Sequence, residues 1–294
     1  MAYEIETAAL DSVEAVTGRT PAHTRPIGAP CPNCATSLMG PWCYHCGQSS
    51  EDFHRSLVKL AAEAIGGLFD FDSRFWRTVP DLCLRPARLT RAYLDGHRVV
   101  QVPPFRLFLV VVVIVFLVGS FGSHTKVIVA PATPNSADPM ARYIATHPNP
   151  FLQQWVAPRA KVIAKDPDRF TASIVTWAQR LIFLALPISA LLLAATFFWR
   201  RGVYMFDHLI FSMHSLSFQG ALLSICMLAT GLNGAFGWLL VLAPAHLFVH
   251  LRGAYGLGIF GTLARMLVLF LGSLVGLGLF LAGLLVIGLI EVGQ

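Results

Sequence analysis

Apolar positions are scattered over the first hundred residues and become continuous after Pro104. The run FRLFLVVVVIVFLVGSFG, about 105–122, opens the change, and further apolar stretches lie at about 178–199, 204–228, 235–251 and 266–290. A bilayer core takes about 20 helical residues to cross, so the pattern predicts about five transmembrane helices. The fourth stretch is short and the third is polar, which keeps four or six compatible with it. Pro187 is expected to kink the second span. Pro244 lies inside the fourth and, lacking an N–H, frees the carbonyl of Leu240.

Upstream, residues 1–30 are polar, hold Pro21, Pro26 and Pro30, and read as a flexible tail. Residues 31–48 carry four cysteines, and residues 52–102 have helical patterning with too many charges to span. Residues 103–294 form the membrane domain, without a convincing sequence repeat. Its polar stretch at about 123–177 is an expected extracytoplasmic segment, where Phe151, Trp155 and Val162 form an apolar face along the outer membrane surface.

Composition closes off the soluble alternative. The chain is 55% hydrophobic and 13% charged, with a mean hydropathy of +0.62, where soluble domains carry about a quarter charged residues. The expected fold is an all-α integral membrane protein. Charge then sets its orientation, because short connections rich in Lys and Arg stay in the cytoplasm. Arg200 and Arg201 separate the second and third spans, Arg252 and Arg265 the fourth and fifth, and TGLNGAFG between the third and fourth is uncharged. The predicted topology has the N-terminus inside and the C-terminus outside. Lys161, Lys165 and Arg169 run against it, in a loop too long to weigh heavily. The acidic start MAYEIETAALDSVEAV lacks a signal-peptide pattern, so the first hundred residues are expected in the cytosol.

The cysteines form two hooks, Cys31-Pro-Asn-Cys34 and Cys43-Tyr-His-Cys46, with eight residues between them. Each Cys-x-x-Cys turn can aim two sulfurs at one point, and two turns complete a tetrahedron of thiolates. Pro32, Gly40, Pro41 and Gly47 supply turn chemistry. Reduced cytosolic thiols favour metal over two disulfides, and a doubled hook without an α/β pattern disfavours a redox motif. The expectation is a zinc ribbon with a structural zinc, closed to substrate. His45 reads as a solvent-facing spacer, Cys83 and Cys226 as apolar packing residues.

From Ser73 to Arg106 there are seven arginines, 74, 77, 85, 88, 91, 98 and 106, against Asp81 and Asp95. Pro86 opens a helix and Gly96 closes one, giving a pair of short interfacial helices whose Phe75 and Trp76 suit the headgroup boundary. These arginines either hold topology or contact anionic lipid, since guanidinium forks match phosphate oxygens. Arg74, Arg77, Arg85, Arg88, Arg91 and Arg98 are the candidate contacts.

Inside the membrane, His208, Ser212, Ser215 and Gln219 share one stripe of the third span, with Asp207 and His214 on a second line beside it. His246 and His250 are one turn apart on the fourth. Ionisable groups at such depth face a bundle interior or an aqueous cavity. The eight residues are a candidate intramembrane polar site, with Asp207, His208, His246 and His250 expected to approach one another on the cytoplasmic side and His214 deeper; interhelical hydrogen bonding without chemistry is the plainer reading. In the fifth span Gly272, Gly276 and Gly283 make a small-residue face suited to helix packing within the bundle or to homo-oligomerisation.

The combination of CPNC, CYHCGQ, FDFDSRFWRT, RPARLTRAYLDGHR, FDHLIFSMH and HLRGAYG, running from about Cys31 to Arg265, resembles a bacterial family of zinc-ribbon membrane proteins catalogued as a domain of unknown function. The resemblance implies a fold and a bacterial inner (cytoplasmic) membrane location, and it implies no activity. Where many such sequences place Gly after the proline, this chain has Ala87. No nucleophile–base set stands out. A non-enzymatic protein that docks a cytosolic partner or anionic lipid is therefore preferred. A transporter or lipid-handling protein with an intramembrane polar pocket comes next, and a metal-dependent membrane hydrolase or transferase using Asp207, His208, His246 and His250 last. Nucleic acid is not an expected partner, because the basic residues sit against the membrane without the aromatic interleaving of a stacking platform.

Overall fold

A computed structural model of the chain describes residues 25–50, 73–122, 149–150, 154–155, 157–165 and 167–292. Residues 1–24 of the expected tail, 52–72 of the expected interfacial region and 123–148 of the expected outer segment, with Phe151, lie outside the described residues. The described chain is helical, and its only β-type pairs are two isolated bridges, Pro30–Ser37 and Trp42–Ser49. The main helices are α1 (Ser73–Leu84), α2 (Pro86–Leu94), α3 (Pro104–Gly122), α4 (Ala157–Lys165), α5 (Pro167–Leu181), α6 (Ala185–Thr196), α7 (Met205–Leu232), α8 (Leu242–Tyr255) and α9 (Ile259–Val292). Short 3-10 segments, Ile182–Leu184 and Gly234–Val241, lead into α6 and α8.

Four segments are long and apolar enough to cross a membrane: Ala172–Thr196, Met205–Thr230, Gly234–Tyr255 and Ile259–Glu291. They make the chain a multi-pass membrane protein by length and composition. The expected first span is apolar but shorter, at Pro104–Gly119. The second begins several residues before the expected 178, inside α5. The last starts at Ile259 rather than 266; its 34 residues extend about 51 Å at about 1.5 Å per residue, more than the about 30 Å of a hydrocarbon core.

Both prolines act one step away from where the sequence places them. Pro187 lies in the first turn of α6, and its missing N–H leaves the Phe183 carbonyl without a helical donor. The break falls there, as the 3-10 turn Ile182–Leu184. Pro244 is likewise the third residue of its helix, α8, and that helix directly follows the 3-10 segment Gly234–Val241, so it too stands where a 3-10 stretch gives way to an α-helix.

The axis of the bundle is α7. Of its spanning window 56% is buried, against 17% for each of the other three, and it packs against α2, α3, α6, α8 and the 3-10 segment before α8. Tyr93, Phe108, Leu186, Phe206, Ile210 and Met213 join four of these helices in one apolar cluster. A second cluster of Leu193, Phe197, Phe211, Leu251 and Tyr255 ties α6, α7 and α8 together.

Helix α2, expected at the interface, is seated on α7 and α8. Leu89, Thr90 and Tyr93 are buried while Arg88 and Arg91 stay exposed. Close approach to α8 depends on Gly253: a Cβ there would stand 2.5 Å from the Ala87 methyl. Ala87 thus occupies a helix contact. In the last span Gly272 packs inside the chain, its Cβ position 2.9 Å from Leu192, while Gly276 and Gly283 face open space. Cys226 is buried as expected. Cys83 is not: it is exposed on α1, because Thr78 and Leu82 take the inward face of that helix.

Candidate functional site

The first candidate site is the cysteine module, where two backbone hydrogen bonds of one hook recur in the other. The Cys31 N–H bonds the Thr36 carbonyl and the Ala35 N–H bonds the Cys31 carbonyl; the Cys43 N–H bonds the Gln48 carbonyl and the Gly47 N–H bonds the Cys43 carbonyl, all at 2.8 Å. The residue after each hook adopts a left-handed backbone, Gly47 at φ 74° and Ala35 at φ 60°, the latter being the single described non-glycine residue there. These turns bring the four sulfurs together. Cys31 lies 3.7 Å from Cys46, Cys34 lies 3.5 Å from Cys43, and all four fall within 4.8 Å of one another. Thiolates bound at about 2.3 Å around a tetrahedral ion stand about 3.8 Å apart. The four cysteines are therefore close enough to bind one metal ion, and the set fits a thiophilic one. Hydrogen bonds from the Thr36 hydroxyl and backbone hold the Cys34 thiol down at about 5, whereas desolvation pushes Cys46 up to about 11. His45 is exposed and stands apart from the sulfur cluster.

The module is fixed to the helices by Gln48. Its side-chain amide donates to the Gly96 carbonyl at 2.7 Å and its carbonyl accepts from the Arg98 N–H at 3.3 Å. Gly96 is left-handed at φ 100°, and a Cβ on it would stand 3.0 Å from the Cβ of Pro32. The end of α2 and the first hook thus meet face to face.

The second candidate site lies where α2 meets α7 and α8. Thr90 Oγ1 is 2.9 Å from His214 Nδ1 and 2.8 Å from His250 Nε2. One hydroxyl can donate to one ring and accept from the other, so Thr90 bridges two histidines from different spans. The other ring nitrogen of His250, Nδ1, is buried without a hydrogen-bond partner, and Phe211 stacks on that ring at 4.0 Å between centroids. His246 Nε2 donates to the Leu82 carbonyl at 2.8 Å. Pro86 cannot supply the helical N–H that this carbonyl would otherwise accept. Nearby, His208 Nδ1 is 2.8 Å from the Tyr255 hydroxyl.

The eight sequence-predicted polar residues are thus divided among several partners. Asp207 accepts from the Tyr204 N–H at 2.9 Å and caps α7, while Gln219 donates to Ser215 and Ser212 is buried. His214 and His250 come together through Thr90; His208 and His246 pair elsewhere. Among the described residues, the only group of three or more His, Cys, Asp or Glu side chains placed to hold an ion is the four cysteines. Residues that sequence reasoning missed are Gln48, Thr90, Arg200 and Tyr255. The signal for the Leu82–His246 pair was readable, since Pro86 four residues on announces a free carbonyl.

The collar arginines differ in their partners. Arg88 pairs with Asp81 at 3.1 Å, Arg91 reaches Asp95 at 3.8 Å, and Arg98 lies over the Tyr93 ring at 5.2 Å. Arg74, Arg77 and Arg85 are exposed.

Residues 72–116 match the family described as Protein of unknown function (DUF3667). The match covers α1, α2 and the first part of α3, so it includes Thr90, Gly96 and all seven collar arginines, and the cysteine module lies upstream. No curated protein and no solved structure matches the chain.

Proposed function

We propose that this is a non-enzymatic membrane protein whose cysteine module carries a structural zinc. Module and arginine collar together form one docking face on the cytoplasmic side of a bacterial inner membrane, for a cytosolic protein partner or anionic lipid headgroups. The Gln48 clasp carries the reading. A module serving only as a folded cap has no need of a defined orientation; two hydrogen bonds from one buried amide fix this one against the end of α2. Ile27, Met39, Trp42 and Tyr44 on the module are all more than 60% exposed, and large exposed aromatic and apolar side chains are enriched where proteins meet. Four thiolates complete a tetrahedron and leave no place for substrate, which supports a structural role for the metal.

Transport or metal-dependent hydrolysis would call on the intramembrane histidines; of these, His214, His246 and His250 are engaged in hydrogen bonds that tie α1 and α2 to the spans, and His208 in one to Tyr255. Replacing Cys31 and Cys43 by Ser should remove a cytosolic protein from an affinity capture while leaving the helical content of the purified protein intact, and Gln48→Ala should weaken that capture with the metal still bound. An unchanged set of captured proteins in the cysteine variant sinks the reading. So does labelling of a cysteine engineered near the amino end by a membrane-impermeant reagent applied to the outer face.

A further inference from the structure

We propose that the cavity between the end of α2, the Arg200–Val203 connection and the end of α8 binds a phosphate group of net negative charge, carried by an anionic lipid headgroup or by a small soluble anion. The proposal deepens the docking reading and rests on it only for the side of the membrane on which the cavity opens. The cavity holds about 270 Å³ and is lined by Thr90, Arg91, Arg200, Asp207 and Tyr255 among others. That is just under the about 300–1,000 Å³ of drug-sized pockets, which suits a headgroup-sized ligand.

Its charge pattern points to an anion. Two guanidinium groups from separate elements line one cavity, and Asp207 is the single carboxylate in the lining. That carboxylate already accepts from the Tyr204 N–H at the start of α7, where the helix dipole favours it. Arg200 is held in place, its Nη1 donating to the Tyr255 carbonyl at 2.7 Å. A guanidinium has five donors in a planar fork, so this anchoring leaves donors available and reduces the entropy lost on binding. Among the described residues, the acidic partner of Arg91, on α2, is exposed Asp95 at a long 3.8 Å. Gly202, Gly253 and Gly256 line the rest of the wall together with Leu94, Val203 and Ala254. Paired guanidinium forks suit phosphate oxygens better than a single carboxylate or a neutral headgroup. Thr90 also lines the cavity, so a bound anion would sit beside the bridge that joins α2 to α7 and α8.

The test uses the full chain purified in detergent and stripped of lipid, with its unfolding midpoint followed as inorganic phosphate, phosphatidylglycerol or phosphatidylcholine is added at constant ionic strength. A saturable rise with phosphate, with phosphatidylglycerol, or with both is expected. Phosphatidylglycerol alone identifies a lipid source, and phosphate alone a soluble one. Arg91→Gln should weaken the response about tenfold or more, the loss of one charge-assisted contact. Arg200→Lys, which can keep the bond to Tyr255, guards against a folding defect and should also weaken it. Arg201→Gln removes the same charge outside the cavity and should leave the response unchanged. An equal response to phosphatidylcholine, no response at all, or an equal loss in Arg201→Gln overturns the proposal. A failed protein capture with an intact phosphate response would instead count against docking of a partner alone.

Discussion

His246 donates from Nε2 to the carbonyl of Leu82 at 2.8 Å, across the boundary between the pre-membrane helices and the bundle. The bond exists because Leu82 lies four residues before Pro86, which has no N–H to offer that carbonyl. A carbonyl only accepts, so the ring carries its proton on Nε2, and Phe218 stacks on its face at 3.5 Å. Removing the ring leaves a buried acceptor unsatisfied, at about 1–3 kcal/mol. His246→Ala should therefore lower the unfolding midpoint in detergent. In a Pro86→Ala background, where residue 86 can supply an N–H, the same change should be milder. Strictly additive effects in this double-mutant cycle would show that the two residues do not share the carbonyl.

Thr90 gives a sharper case, because Val matches it in shape and lacks only the hydroxyl. Thr90→Val orphans one nitrogen on His214 and one on His250, each at about 1–3 kcal/mol, while Thr90→Ser keeps the bridge. The expected order of thermal stability is wild type, then Ser, then Val, with Val well separated. A Val variant as stable as wild type would remove the bridge as a structural element.

Much of this architecture was legible in the sequence. The cysteine spacing named the four sulfurs that converge, since each hook is local and needs only its own turn. The long apolar runs named the spans, because burial in lipid is read residue by residue. The partners of the polar residues were less accessible. Asp207, His208, His246 and His250 share a depth, and depth alone suggested that they meet. The structure divides them: the His246 and His250 rings lie 5.8 Å apart, whereas Asp207 caps α7 and His208 bonds Tyr255. The seating of α2 on α7 and α8 depends on Ala87 meeting Gly253, a contact between residues far apart in the chain. Thr90 lay unremarked between two arginines because nothing local marks a threonine that faces two spans. Cys83 failed for the same reason: Thr78 turns inward to bond the Arg74 carbonyl and the Val102 N–H, so its side of α1 is buried and Cys83 turns outward.

Gln48 separates metal binding from orientation. Gln48→Ala should retain the full metal content, since the sulfurs are untouched, yet raise amide hydrogen exchange around Gly96 and Arg98 and over the module. Gly96→Ala should act in the same direction, through its positive φ and the 3.0 Å approach of Pro32. Metal loss in Gln48→Ala would mean that docking and coordination are not separable.

Metal binding by the module should strengthen as pH rises. At neutral pH without metal, Cys34 is held as a thiolate by Thr36 and Cys46 remains a thiol, the two lying at about 5 and about 11. Loading must release the Cys46 proton, because the thiolate is the ligand, so protons compete with the ion throughout that window. Competition with a chelator of known affinity, measured at pH 6 and pH 8, should show weaker retention at the lower pH. One ion per chain should be retained at neutral pH and lost in Cys31→Ser, while Cys83→Ser and Cys226→Ser keep it. An affinity that does not change with pH, or metal that persists in Cys31→Ser, would place the ion on ligands other than these four sulfurs.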